Sequence, residues 1–227
     1  TRTPRRPPTP LHTPTATKEP LPEDVQDVLR AIDENPRDPF LRLKLAITFW
    51  QHEMPQDAYQ ALYEAREIAG DDRDFFIEAG DQLMREEMWV GAAGMYLQAA
   101  MLFPPGETIP NPLREVLHEA VYRAAVEPEM PDLVPFDAIG RVDEPLMLAA
   151  QARYAYFYVS PEEGRGYLRN LKRLKADFPE SLLLEAEFNA KEGDYDDARY
   201  TLNLLLADLE TPDWIRAEAE AMIRDLP

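Results

Sequence analysis

The sequence predicts an all-α fold: a solenoid of stacked helix–turn–helix pairs behind an extended, Pro/Thr-rich N-terminal tail. Three observations carry this. After residue 20, apolar residues recur at three- and four-residue spacing through most of the chain. Glycine is scarce, at 9 of 227 residues, against 22 prolines, a balance that disfavours turn-rich β-architecture and suits punctuated helices. Residue types also recur 34 positions apart, the length of a helix–turn–helix unit.

Residues 1–20 contain six Thr and six Pro, as in Thr9-Pro10 and Thr13-Pro14-Thr15-Ala16-Thr17. Such a segment favours polyproline II and has nothing with which to build a core. Arg2, Arg5, Arg6 and Lys18 stand against Glu19, giving the segment a charge of +3; since the whole chain carries −19, the rest carries −22. At ~3.1 Å per residue the segment could reach about 60 Å.

The body begins with Val25, Val28, Leu29 and Ile32 on one helical face, stopped at Glu34-Asn35-Pro36. Further helices are expected at 40–50, 56–68, 74–86 and 90–103, the last closed by Pro104-Pro105. A sixth is expected to start with Asn111 as N-cap and Pro112 in the first turn, ending near Ala125. Pro128, Pro131, Pro135 and Pro145 interrupt 127–145, where no regular element is assigned. Helices follow near 146–158, 161–177, 181–192 and 195–209, then at 212–225 with Thr211 as N-cap and Pro212 at its first position.

The 34-residue offset relates Ala58 to Ala92, Leu62 to Tyr96, Ala65 to Ala99, and Pro36 to Gly70 to Pro104. Gly164 and Ala198, Leu168 and Leu202, and Leu171 and Leu205 repeat it. On these residues the chain resembles the tetratricopeptide family. Ala79-Gly80…Ala92…Tyr96…Ala99…Pro104 has the small–large–small order and terminal proline of one repeat, and Gly193-Asp194-Tyr195-Asp196-Asp197-Ala198 looks like its inter-helix turn. Small residues let two helices approach while the aromatic fills the gap beside them. The resemblance implies a right-handed solenoid: a half repeat at 22–36, repeats at 39–72, 73–106, a divergent 111–144, 145–178 and 179–211, and a capping helix at 212–225.

Chemistry is sparse. Without cysteine there are no disulfides, thiolate nucleophiles or thiolate metal sites. His12, His52 and His118 lack a second histidine one helical turn on, and they read as surface or packed side chains. Ser160-Pro161-Glu162-Glu163 reads as a helix cap with first-turn acids, and Asp71-Asp72-Arg73-Asp74 as a turn entering a helix. No phosphate loop or nucleophile elbow occurs, so the expected role is non-enzymatic, with no cofactor and no metal. A charge of −19 disfavours nucleic acid, which needs a basic stripe. It suits either solubility or a basic ligand. No apolar run is long enough to span a membrane.

The resemblance also implies a concave face built from the first helix of each pair, able to hold an extended peptide. The residues expected there are Trp50, Gln51, Asp81, Met84, Arg85, Arg153, Tyr156, Phe157, Glu187 and Lys191. Phe40 and Ile47 share the first of these faces but read as core against the half repeat. An aromatic, acidic groove suits prolines and arginines. The tail has that composition, with Arg2, Arg5, Arg6, Pro7 and Pro8 as connector residues. The expected function is therefore a protein-interaction scaffold whose partner is a peptide, another protein or copies of itself joined head to tail in a filament or surface structure. The alternatives are an adaptor module of a larger protein that binds a different partner, and the regulatory domain of an enzyme. The Thr/Pro run also resembles linkers of exported bacterial proteins, with Thr9, Thr13, Thr15 and Thr17 as O-glycan acceptors. That points towards the cell surface or exterior, with a cytoplasmic adaptor as the alternative.

Overall fold

A computed structural model describes residues 20–104 and 107–227. The expectations for the tail, including the connector residues Arg2 to Pro8 and the threonines Thr9 to Thr17, lie outside the described residues. Among the described residues there are thirteen helices and no strand. They are α1 (Glu23–Glu34), α2 (Pro39–Gln51), α3 (Pro55–Ala69), α4 (Arg73–Arg85), α5 (Trp89–Met101), α6 (Asn111–Ala124), α7 (Met130–Leu133), α8 (Phe136–Val142), α9 (Glu144–Tyr158), α10 (Pro161–Leu174), α11 (Pro179–Glu192), α12 (Tyr195–Ala207) and α13 (Asp213–Asp225).

Packing is closest within the pairs α2/α3, α4/α5, α9/α10 and α11/α12, consistent with an α-helical repeat. Three of these pairs share one turn. A left-handed residue follows the first helix closely: Glu53 at φ 58°, Glu87 at φ 57°, Gly193 at φ 89°. The next N–H then donates five residues back, from Met54 to Phe49, Met88 to Leu83 and Asp194 to Asn189, at 2.9, 3.0 and 2.9 Å. This is the closure by which a helix satisfies its last carbonyls before reversing. Aspartates open several helices. Asp38, Asp72 and Asp143 accept from the N–H of Phe40, Phe75 and Leu146, and Ser160 Oγ accepts from Glu163.

Two expected caps are not formed. Asn111 is the first helical residue of α6 and Pro110 precedes it without a side-chain cap. The Thr211 hydroxyl is buried without a partner, and Pro212 leads into α13. Against those readings, α6 starts one residue earlier, at Asn111, and α13 one residue later, at Asp213. Helices α10 and α12 also stop at Leu174 and Ala207, short of the expected 177 and 209.

The divergent unit departs from the pairing. In place of a long partner for α6 there are the short α7 and α8, separated at Val134-Pro135. Both pack on α5, and α8 also on α9. Pro131 and Pro135 are tolerated because each stands at a helix start, where no intrahelical N–H bond is due. The buried side chains form two clusters, one from α1 to α9 and one from α6 to α13, which meet at α6 and α9.

Candidate functional site

In the first half of the body, the expected groove residues lie on α2 and α4. Trp50 is half-buried, its ring 6.0 Å from that of Tyr59 on α3. Gln51 donates to Glu86 at 2.9 Å. Asp81 accepts from the Tyr96 hydroxyl at 2.6 Å; burial, then this bond, pushes the Tyr96 hydroxyl well above its ordinary pKa. Met84 rests on the core and Arg85 is exposed. On α6, Glu119 pairs with Arg123 at 3.0 Å, and the Arg123 guanidinium lies 5.0 Å above the Trp89 ring. Asp81, Arg85 and Glu119 all act electrostatically on Tyr96, so the charged ends of α4 and α6 share one neighbourhood.

The second half differs. Arg153, Tyr156 and Glu187, expected to face a ligand, are buried and engaged internally. Arg153 donates to both carboxylate oxygens of Glu187 at 2.9 Å and to the Tyr122 carbonyl, while its guanidinium lies 3.7 Å above the Tyr122 ring. The Tyr122 hydroxyl donates to Glu187 at 3.1 Å. The Tyr156 ring stacks on Phe188, 3.9 Å between centroids at 7°. The reason is the course of α13, which returns to α6: Trp214 lies 5.4 Å from Tyr122, and Glu218 is 3.7 Å from Arg123. Around Arg153 and Glu187 that face is thereby covered by the chain itself, while Tyr156 is covered by Phe188 and by Gly164 of α10. Phe157 and Lys191 remain exposed, the ammonium 5.8 Å from the ring.

His118 is also buried, held by Glu180 at 2.7 Å through Nδ1 and by Asp143 at 3.3 Å through Nε2. Burial alone would lower its pKa, but the two carboxylates outweigh it and raise it to about 9. Because the acids sit on opposite ring nitrogens, the three groups cannot converge on one ion. The cluster is an electrostatic tie joining α6 to the starts of α9 and α11. Nothing in its spacing disclosed it, since the partners are 25 and 62 residues away.

A surface that was not anticipated lies on the α3/α5 side, where α7 and α8 replace a full helix. A cleft of about 390 Å³ opens there, walled by Tyr59, Tyr63 and Leu133, with Arg66 and Asp132 as its charged lining residues. Its floor is low because residues 91 and 94 are glycines; a Cβ on Gly91 would stand 2.8 Å from Leu62. Tyr63 is 58% exposed and Leu133 37%, so the cleft presents apolar surface to solvent. The Tyr59 hydroxyl approaches Glu127 at 3.5 Å, at the limit of a hydrogen bond. Burial first, then the neighbouring Glu129, raises the Glu127 carboxyl to about 7. No cation among the described residues contributes to holding it down. Beyond it the rings of Tyr158 and Tyr154 lie 4.9 Å apart, tilted by 34°, and their hydroxyls donate to the carbonyls of Val126 and Pro128. The available sequence signal was the run Glu127-Pro128-Glu129-Met130-Pro131-Asp132-Leu133, whose prolines forbid a continuous helix and so open a gap beside α5.

No protein-family model matches the chain, and no curated protein matches it either. No described helix is long and apolar enough to cross a membrane.

Proposed function

We propose that this protein is a non-enzymatic interaction scaffold, a right-handed solenoid of tetratricopeptide-like repeats, whose N-terminal segment is held by the helical body of a neighbouring copy. The observation that carries the reading is the opposition within one chain: an Arg-, Pro- and Thr-rich segment of +3 joined to an acidic body of −22 within a total of −19. Opposite charges steer such parts together, and a head-to-tail contact propagates unless a rotation closes it. Stacked helix pairs support the reading physically, because a row of helices leaves a long continuous surface for an extended segment. The Thr/Pro composition of residues 1–20 further favours the cell surface or exterior as the place of assembly. The acidic body leaves nucleic acid a poor partner.

Light scattering on the full chain and on a variant lacking residues 1–20 tests this. The full chain should form assemblies that grow at low ionic strength, and the deletion should give single copies. Equal masses for the two would remove the proposal.

A second reading, an adaptor for a different protein, draws on the charged neighbourhood of Asp81, Arg85 and Glu119, in which Asp81 and Arg85 are exposed. It requires the full chain to be monomeric at all salt concentrations.

A further inference from the structure

We infer that the exposed face of α12, the stripe Asp196, Tyr200, Leu204 and Ala207, is the seat of residues 1–19 of a second copy, arginines on Asp196 and Asp197, prolines on Tyr200 and Leu204. The inference rests on the assembly reading and names its docking surface, which lies away from the first-helix face. There Arg153 and Glu187 have no free groups to offer, being bonded to each other.

The stripe is unpartnered, and packing does not ask for it. Ala198, Thr201, Leu202 and Leu205 bury the opposite side of α12, while Asp196, Tyr200, Leu204 and Ala207, spaced at three and four residues, face solvent. Tyr200 is 67% exposed, Leu204 45%, and Leu209, just beyond the helix, 91%. At the equivalent positions 34 residues earlier, α10 carries Gly166, Asn170 and Arg173 in place of Tyr200, Leu204 and Ala207. The rims of the stripe are acidic. Residues 194–213 hold six carboxylates, all exposed, against one cation, Arg199, a net of −5. Among the described residues only one of the six, Asp196, comes near a cation, Arg199 at 4.0 Å.

Together these features select the occupant. Carboxylates beside exposed apolar side chains suit cations beside prolines, and the run Arg5-Arg6-Pro7-Pro8 has that order. The spacing agrees: from Asp196 to Tyr200 the helix rises ~6 Å, as two residues of polyproline II do, the separation of Arg6 from Pro8. Helix α10 would repel the same segment, since its exposed side carries Arg169 and Arg173, with Lys175 just beyond. Donor and acceptor also belong to different parts of the fold. Residue 20 leads into α1, in the first buried cluster, whereas α12 contributes Leu202 and Leu205 to the second. A segment leaving one part and a seat on the other make a head-to-tail contact.

The test places the photocrosslinker p-benzoylphenylalanine at position 203 of the full chain, an exposed asparagine beside the stripe. Isotopically light and heavy chains are mixed before irradiation, and the crosslinked fragments are identified by mass. Residues 1–20 should be captured at position 203, with heavy–light pairs present. Combining Asp196→Asn with Asp197→Asn should lower that yield ~tenfold at low salt, and Tyr200→Ser should lower it at any salt. All three side chains are exposed, so the fold is retained, which thermal unfolding of each variant checks. A yield that none of these substitutions changes would overturn the site. If position 203 captures no part of 1–20, or another segment instead, while the deletion still abolishes assembly, this site is wrong and the assembly reading stands. If 1–20 is captured only within single copies, the second-copy seat and the assembly reading both fall.

Discussion

Arg153 and Glu187, 34 residues apart in sequence, face each other across the α9/α11 contact, two nitrogens of one donating to both oxygens of the other at 2.9 Å. The spacing equals the repeat length, so equivalent faces of successive first helices are brought together. In an open solenoid such residues would line the hollow. Here Tyr122 on α6 and the returning α13 desolvate them, and the pair becomes part of the second core.

Breaking that pair should be costly. Removing one member leaves a buried charge without compensation, so Glu187→Ala or Arg153→Ala should each lose about 3–5 kcal/mol of stability in urea unfolding. Arg153→Met combined with Glu187→Leu should recover most of that loss, since apolar residues of similar volume tolerate burial. A loss under about 1 kcal/mol for the single variants would show that the site is wet.

His118 should make stability fall on the alkaline side. Its pKa is raised to about 9 in the folded protein from 6.5, so its contribution is fully present below pH 6.5 and is lost as pH rises through about 9. Asp143 acts in the opposite sense: despite burial, His118 and the Leu146 N–H lower its pKa, and its contribution disappears as pH falls below the ordinary carboxylate range. Melting temperature measured from pH 6 to 10 should decline in the native chain. In His118→Asn the decline should flatten, at lower overall stability. A native profile level across that range would contradict the paired histidine.

Gly80 should resist enlargement. A Cβ there would stand 2.5 Å from Cε1 of the Tyr96 ring, and the bond from Tyr96 to Asp81 keeps that ring from swinging aside. Gly80→Val should destabilise by about 2–3 kcal/mol, as overpacking does. Adding Tyr96→Leu should restore part of the loss. Thermal unfolding of the two variants decides it, and an unchanged midpoint for Gly80→Val would mean the helices are not in this close contact.

Glu87 should accept glycine. It holds φ 57° at the α4/α5 turn, a conformation that costs a residue with a Cβ about 1 kcal/mol or more. Glu87→Gly should leave the chain as stable or up to about 1 kcal/mol more stable, after the entropy lost by glycine on folding is deducted. A clear loss would indicate that the side chain makes a contact that outweighs the strain.

The helices were legible because their cause is local. Apolar spacing, aspartates before helix starts and prolines after helix ends report backbone preferences over a few residues, and these place α1 to α6 and α9 to α13 closely. The cap readings at Asn111 and Thr211 misplaced the helix starts by one residue, at positions next to prolines where two cap choices compete. The Gly80–Tyr96 contact was also within reach, since a small residue and an aromatic at that spacing imply close approach.

What the sequence by itself determined is the helical class, the 34-residue periodicity, and a division of charge between a basic N-terminal segment and an acidic remainder. All three follow from composition and short-range pattern. Which faces remain open was decided by the tertiary structure alone. Helix α13 reaches back to α6 across some 90 residues, its Trp214 against Tyr122 beside the buried Arg153–Glu187 pair, Tyr156 is buried against Phe188, and the two short helices after Pro128 open a cleft beside Tyr63. Such outcomes depend on accumulated curvature and on desolvation by distant side chains, and no local spacing encodes either.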